Sequence, residues 1–222
     1  MSVAEREPGE SSAPDRVHRR RSQRQVDESL QNRKAIVRNA LELFANYGYT
    51  KTTLHAIAER VGLTRQGLLH HFQSKEGLFV EVINYERGWA EQQIAQLRPE
   101  RGLKGLRSMA VFLGSEPNAL HLKFVHTIQG EAIHQDAPDY LVTYVQARLN
   151  SIRGNIEQQL REAHSDGEIG DVDVPTLATM IVGTIVGLQT QWLADDAVQT
   201  EPAFDQLVAL LAAVKTSRRR TK

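Results

Sequence analysis

Apolar residues recur along most of this chain at three- and four-residue steps, the period of a helix that buries one face. The first such stripe is Ile36, Val37, Ala40, Leu41, Phe44 and Tyr47, and Gly48 stops it. Thr53 offers a capping hydroxyl to a second helix whose buried side is Ala56, Ile57 and Val61, after which Gly62 turns the chain. Thr64 caps a third, short helix that runs to about His71 and ends near Gln73 and Ser74. A longer helix is predicted from Lys75 to about Leu97, on a stripe of Leu78, Phe79, Val82, Ile83, Trp89, Ala90, Ile94 and Leu97, before Pro99 and Gly102 interrupt. The pattern predicts further helices at about 103–113, 118–134, 139–164, 174–194 and 203–216. Pro117, Pro138, Pro175 and Pro202 stand near helix starts, where a missing N–H costs least. No strand alternation of convincing length is present, so the expected fold is all-α with about nine helices.

Residues 1–30 lack this periodicity and are rich in Ser, Glu, Arg and Pro, so a disordered basic arm is expected there. Arg19, Arg20, Arg21 and Arg24 cluster in it, either as a solubilising tail or as an arm that touches phosphates or the minor groove. Expected domains are the arm, a head at 31–76, a helical body at 77–216 and a basic tail at 217–222. No run approaches the ~18 uninterrupted apolar residues that a membrane span needs, and the polar N-terminus holds no export signal. The chain has no cysteine, which excludes disulfides, thiolate metal sites and cysteine nucleophiles. A cytoplasmic protein without membrane contact is the expectation.

The formal net charge is zero, but its distribution is not even. From Arg16 to Lys75 there are 12 Lys/Arg against 4 Asp/Glu, and from Glu76 to Val214 there are 9 against 19. A basic head on an acidic body suggests that the head meets a polyanion. The chemistry of the head says which. Two short helices around a Gly-containing turn form a helix-turn-helix when the second is free to enter the major groove. Thr64, Arg65, Gln66 and His70 are the outward positions of that second helix, and they are residue types that read base edges. An ordinary helical hairpin in a bundle is the alternative, and the basic balance weighs against it.

The segment Ala45…Gly48-Tyr49-Thr50…Thr53, Ile57-Ala58, Gly62-Leu63 and His71-Phe72-Gln73-Ser74-Lys75-Glu76-Gly77-Leu78 resembles the TetR family of transcription regulators. The resemblance covers residues 33–79 strongly. It implies a three-helix DNA-binding head followed by a helical ligand-binding and dimerisation domain. It makes Thr53 and Lys75 phosphate contacts, Thr64, Arg65, Gln66 and His70 base or backbone contacts, and Phe72 a packing residue of the junction. Leu69 departs from the family, which usually has a tyrosine there that supports a phosphate contact; that contact is lost or supplied by His70. Gly67 weakens the short helix locally and leaves room for close approach to DNA.

A second resemblance, from Gly183 to Leu193, is to the family's penultimate helix, which with the last one commonly builds a dimeric four-helix bundle. It implies an interface with Gly183, Gly187, Trp192, Phe204, Leu207 and Leu211. The wide apolar arc over 174–194 agrees with burial on more than one side, by a partner or by the subunit's own core. The resemblance also implies a pocket for a small molecule that loosens DNA binding. Trp89, Phe112, Phe124, Gln129, Tyr144 and Gln189 are the candidate lining residues, each open to an ordinary core reading. The acidic body faintly favours cationic ligands.

No catalytic constellation is evident, and no cofactor or metal is expected. His121, His126 and His134 with Glu131 invite a metal reading, but no two of these histidines stand four apart on one helical face. Ser108, Ser115 and Ser151 lack a nucleophile context. The expected function is a homodimeric repressor that binds a near-palindromic duplex operator and is released by a small molecule. An activator of the same fold, a DNA binder without an effector and an enzyme tethered to a DNA-binding head remain the alternatives.

Overall fold

The computed structural model describes residues 13–96, 100–113 and 119–214, with side chains over 28–93, 100–112 and 119–213. Among the described residues there are nine helices and no strand: α1 (Ala13–Tyr47), α2 (Leu54–Arg60), α3 (Arg65–His71), α4 (Lys75–Gln96), α5 (Gly102–Leu113), α6 (Ala119–Ala132), α7 (Asp139–Ser165), α8 (Val174–Ala194) and α9 (Thr200–Val214). Residues 1–12 of the expected arm and the basic tail 217–222 lie outside the described residues.

The helix starting at Ala13 takes in most of the segment expected to be disordered, so residue 30 marks no boundary. The stretch from Asp15 to Tyr47 has no Gly or Pro and holds seven Arg and three Gln, which lose little rotamer freedom in a helix. Apolar periodicity is the signal that reads a buried face, and the sequence there carries no such period. At its other end, α1 stops because Gly48 adopts a left-handed φ of +83°. The buried Thr52 hydroxyl donates to the freed Gly48 carbonyl at 2.6 Å.

The side chains form two apolar clusters. The upper one joins Ile36, Leu41 and Phe44 of α1, Ile57 of α2 and Leu68 of α3 to Phe79 of α4, Phe124 and Ile128 of α6 and Leu141 of α7. Phe79 stands at its centre, with the rings of Phe44, Tyr49, Phe124, Tyr140 and Tyr144 at centroid distances between 5.0 and 6.2 Å. The lower cluster joins Leu106 of α5, Ile156 and Leu160 of α7, Ile181 and Ile185 of α8 and Phe204 and Leu211 of α9. The expected division at residue 76 is therefore no packing boundary, because the head shares its core with α4, α6 and the start of α7. Leu78, Phe79 and Val82 of α4, beyond that division, belong to the same core as the head.

Helix α8 has the length and hydropathy to cross a bilayer, which no run of uninterrupted apolar residues had suggested. Its residues Ala178, Ile181, Val182 and Ile185 are instead buried in the lower cluster. Its Thr176, Thr179, Thr184 and Gln191 are exposed, as in a core helix with one uncovered face.

Candidate nucleic-acid interface and cavity

The two short helices are set by their caps. Thr53 accepts from the Ala56 N–H at 3.1 Å, and Thr64 accepts from the Gly67 N–H at 3.0 Å. Between them, Gly62 turns the chain at φ +70°, and the Leu63 N–H bonds back to the Ala58 carbonyl at 2.9 Å. A Cβ at Gly67 would meet the Thr64 hydroxyl at 3.3 Å, so the absence of a side chain there serves the cap. Leu68 is fully buried while Arg65, Gln66 and His70 are exposed, so α3 presents a guanidinium, an amide and an imidazole on one outward surface. Leu69 is half-buried and offers no hydrogen bond.

The ammonium of Lys75, expected on a phosphate, lies 4.1 Å over the Tyr49 ring and donates to the Thr50 carbonyl at 3.3 Å. Burial lowers its pKa below the usual lysine value, against the opposing pull of Glu131. The lysine thus fastens the loop after α1. Glu131, from the far end of α6, holds the same loop by accepting from the Thr50 N–H at 3.1 Å and from its hydroxyl at 3.2 Å. A Cβ on Gly48 would meet the Glu131 carboxylate at 2.1 Å. Thr127 adds a bond to the Ala45 carbonyl at 3.0 Å, and Lys123 one to Asn46 at 2.7 Å, so α6 grips the end of α1.

Arg33, overlooked in the sequence, clasps the other end of the head. It donates to the His71 carbonyl at 2.6 Å, pairs with Glu81 at 3.1 Å and covers the buried Phe72 ring at 4.3 Å. One side chain thus joins α1, α3 and α4.

A cavity of about 420 Å³ lies in the seam between the two clusters. Ile83, Glu86 and Trp89 of α4, Met109 and Phe112 of α5, His121 and Leu122 of α6, and Tyr144, Arg148 and Ile152 of α7 are among the residues that line it. Three expected lining residues are therefore here: Trp89, Phe112 and Tyr144. Phe124 is not; it is fully buried in the upper aromatic cluster. Gln129 and Gln189 line a separate crevice of about 10 Å³, room for roughly one water. The buried Gln189 faces His126 across 3.2 Å.

The polar members of the cavity had no local sequence signal. Glu86 is 3% exposed and pairs with Arg148 at 3.2 Å, and the Tyr144 hydroxyl donates to its second oxygen at 3.4 Å. Burial, with the Glu86 charge, pushes the Tyr144 phenol above its ordinary range. His121 stacks flat on Trp89, ring centroids 3.6 Å apart and 9° from parallel, and its Nδ1 is buried without a partner. Burial, then the nearby Arg148 charge, lower its pKa to about 4. The metal alternative loses its carboxylate, because Glu131 is committed to Thr50. Among the described residues no group of three or more His, Asp and Glu side chains is placed to hold an ion.

The expected dimer residues divide. Gly183 is exposed and Gly187 half-exposed on α8, and a Cβ added to either meets nothing within 4 Å. Trp192 and Leu207 are half-buried. Phe204 and Leu211, 2% and 7% exposed, belong to the lower core. That corrects their assignment to an interface: α9 is apolar around most of its circumference, and the side left uncovered carries Leu210, 57% exposed. Met180, 64% exposed, stands on the uncovered face of α8.

Residues 36–82 match the family model of the bacterial regulatory proteins, tetR family. The chain is 26% identical over 164 residues to the HTH-type transcriptional repressor AcnR of Corynebacterium jeikeium, a match that covers 73% of this chain and 82% of that protein. Its fold is similar to that of a TetR transcriptional regulator from Chloroflexus aurantiacus, with a TM-score of 0.69, 21% identity and coverage of 86% of this chain and 97% of that one. It is also similar to AibR, solved in complex with isovaleryl coenzyme A and operator DNA, with a TM-score of 0.62, 21% identity and coverage of 81% and 97%.

Proposed function

The chain belongs to the TetR family of DNA-binding transcription regulators, and from that premise we propose that it is a homodimeric repressor that a small molecule releases from its operator. The observation that carries this reading is the position of the cavity. The helices that wall it also build or grip the head: α4 buries Leu78 and Phe79 beside α1 and turns Glu86 and Trp89 to the cavity. Helix α6 does the same with Glu131 and Thr127 at one end and His121 at the other. A ligand that fits the seam better with these helices displaced shifts the spacing of two heads on DNA, by no more than its differential affinity for the two states.

On the DNA side, Arg65, Gln66 and His70 serve as the readers, with Thr53 and Thr64 available for phosphates through their own O–H groups. The exposed face of α8 with Gly183, Gly187 and Met180, beside Leu210 of α9, is the surface on which a second copy packs, and this arrangement operates in the cytoplasm. AibR, a similar fold, was solved with both an acyl coenzyme A and operator DNA, which supports a ligand-responsive reading here.

The test is selection of duplexes from a random library by the full chain, followed by footprinting. A near-palindrome should emerge, with half-site centres about one helical turn apart or somewhat more. Arg65→Ala or Gln66→Ala should relax preference at one or two base pairs per half-site, at about 1–3 kcal/mol each. Enriched duplexes without two-fold symmetry would sink the homodimer reading.

A further inference from the structure

The polar groups of the cavity specify the charge of its ligand. Arg148 reaches the wall from the middle of α7, with its side chain 21% exposed. Among the described residues it makes one bond, from Nη1 to Glu86, so four of its five N–H donors are unspent. Glu86 is the less accessible partner. Its side chain is 4% exposed, Arg148 holds one oxygen and the Tyr144 hydroxyl the other. A cationic ligand would meet the repulsion of the adjacent guanidinium on its way to that buried carboxylate, whereas an anionic ligand only adds a second partner to a guanidinium already held in place. A planar fork of donors matches a carboxylate in geometry as well as charge.

His121 supplies the second, independent observation. It is nine-tenths buried, lines the cavity and has an Nδ1 with no partner. A buried polar atom left unmatched is costly, and a ligand atom is one way of matching it. Burial and Arg148 hold the imidazole neutral, so it offers one N–H and one lone pair and does not neutralise an anion by itself. At the rim, Arg87 and Glu91 offset each other formally, which leaves the Arg148–Glu86 pair, of which Arg148 is the more exposed member and the one with donors to spare. Apart from the uncharged Ser151 and Asn155, the remaining wall is mainly apolar or aromatic, with Ile83, Trp89, Met109, Phe112 and Ile152.

We infer that the cavity takes a small monocarboxylate with an aromatic or branched apolar body, its carboxylate on the free donors of Arg148 and a polar atom against His121. This rests on the reading of the cavity as the effector site, and it reverses the preference for cations that the acidic body suggested. The net charge of a domain is a surface property, and the ligand meets the wall.

The experiment uses the full chain and matched probes: phenylacetate, 3-phenylpropionate, indole-3-acetate and 4-methylvalerate, each with its primary amide and the amine of equal length. Calorimetric titration should show a carboxylate binding at least about 10-fold more tightly than its amide, with the amines weakest. Arg148→Met leaves Glu86 buried without its partner and risks misfolding. The Glu86→Gln/Arg148→Met double variant removes both charges, and in it carboxylate binding should weaken about 10- to 100-fold while amide binding holds. Tighter binding of amines or amides, no binding of any carboxylate, or an unchanged affinity in the double variant overturns the inference. Anisotropy on the selected duplex separates the two readings. Carboxylates that bind without releasing DNA uphold the ligand class and defeat the repressor mechanism; release by amines or amides alone does the opposite.

Discussion

The two apolar clusters are built from different materials and do different work. The upper one is aromatic, with five rings grouped around Phe79, and it runs without a break from the DNA-binding helices into α4, α6 and α7. The lower one is mainly aliphatic and closes the far end of the body. Large rings in edge contact bury much area per residue and have few low-energy arrangements. A displacement of α4 or α6 therefore shifts the packing of the head rather than being absorbed by it. The lower cluster is crossed by α8 and α9, each with one side uncovered, which is the surface proposed above for a second copy. The cavity lies in the seam between the two clusters.

The largest expected effect comes from breaking the upper cluster. Phe79→Ala should cost about 3–5 kcal/mol in a denaturant titration and abolish duplex binding, since head and upper body lose one shared core. Ile181→Ala in the lower cluster should cost about 2–5 kcal/mol yet leave the head helices formed at low denaturant. If Phe79→Ala melted the head in a separate step while the body stayed intact, the continuity of the upper cluster would be refuted.

The proposed surface for a second copy is tested by Gly187→Leu. Nothing in the subunit lies within 4 Å of a Cβ there, so the monomer should fold as before, as judged by circular dichroism. Light scattering should show monomers and operator affinity should fall by roughly 100-fold or more, because each half-site is then read alone. A variant that remains dimeric would move the interface off this face of α8.

A smaller effect sharpens the seam between the clusters. His121 takes up a proton at about pH 4 in the folded chain but near 6.5 when unfolded. Between these values the unfolded state binds more protons, so stability should fall as pH drops from about 6.5 to 4, by up to about 3 kcal/mol. His126, whose pKa burial also lowers, contributes with the same sign. His121→Phe, which keeps a ring on Trp89, should flatten this part of the pH profile; a profile unchanged by the substitution would mean that His121 is hydrated in solution.

The smallest effect concerns Lys75. Because its ammonium is turned onto Tyr49 and Thr50, Lys75→Ala should leave the log–log salt dependence of operator binding near its original slope, about −5 to −7 if each protomer meets three or four phosphates. Stability should drop by about 1 kcal/mol through the lost cation–π contact. A slope flatter by a full unit would return Lys75 to the DNA surface.

Helix positions and caps were legible because they follow from local chemistry. Thr53 and Thr64 cap α2 and α3, and Gly48 and Gly62 turn where the periodic stripes end. Three of the six cavity residues read from the sequence were legible because an aromatic residue mid-helix in a thin stripe has few other places to go. Glu86 and Arg148 were not, since a pair separated by 62 residues leaves no trace in either neighbourhood. Phe204 and Leu211 were read on the wrong side of α9 for a related reason: apolarity around a whole helix says it is covered, without saying by what. Residues 13–30 escaped notice because helix propensity by itself leaves no period in the sequence.

The contact of Glu131 with the Gly48–Thr50 loop bears on whether such heads are interchangeable modules. The carboxylate occupies the space that a side chain at residue 48 would need, and Phe124 and Ile128 from the same helix complete the core under the head. A recombinant joint at the start of α4 would pair a transplanted head with an α6 shaped for another. Sensors assembled by exchanging recognition heads on this body would have to carry the facing surface of α6 across with the first four helices, as a single inherited block.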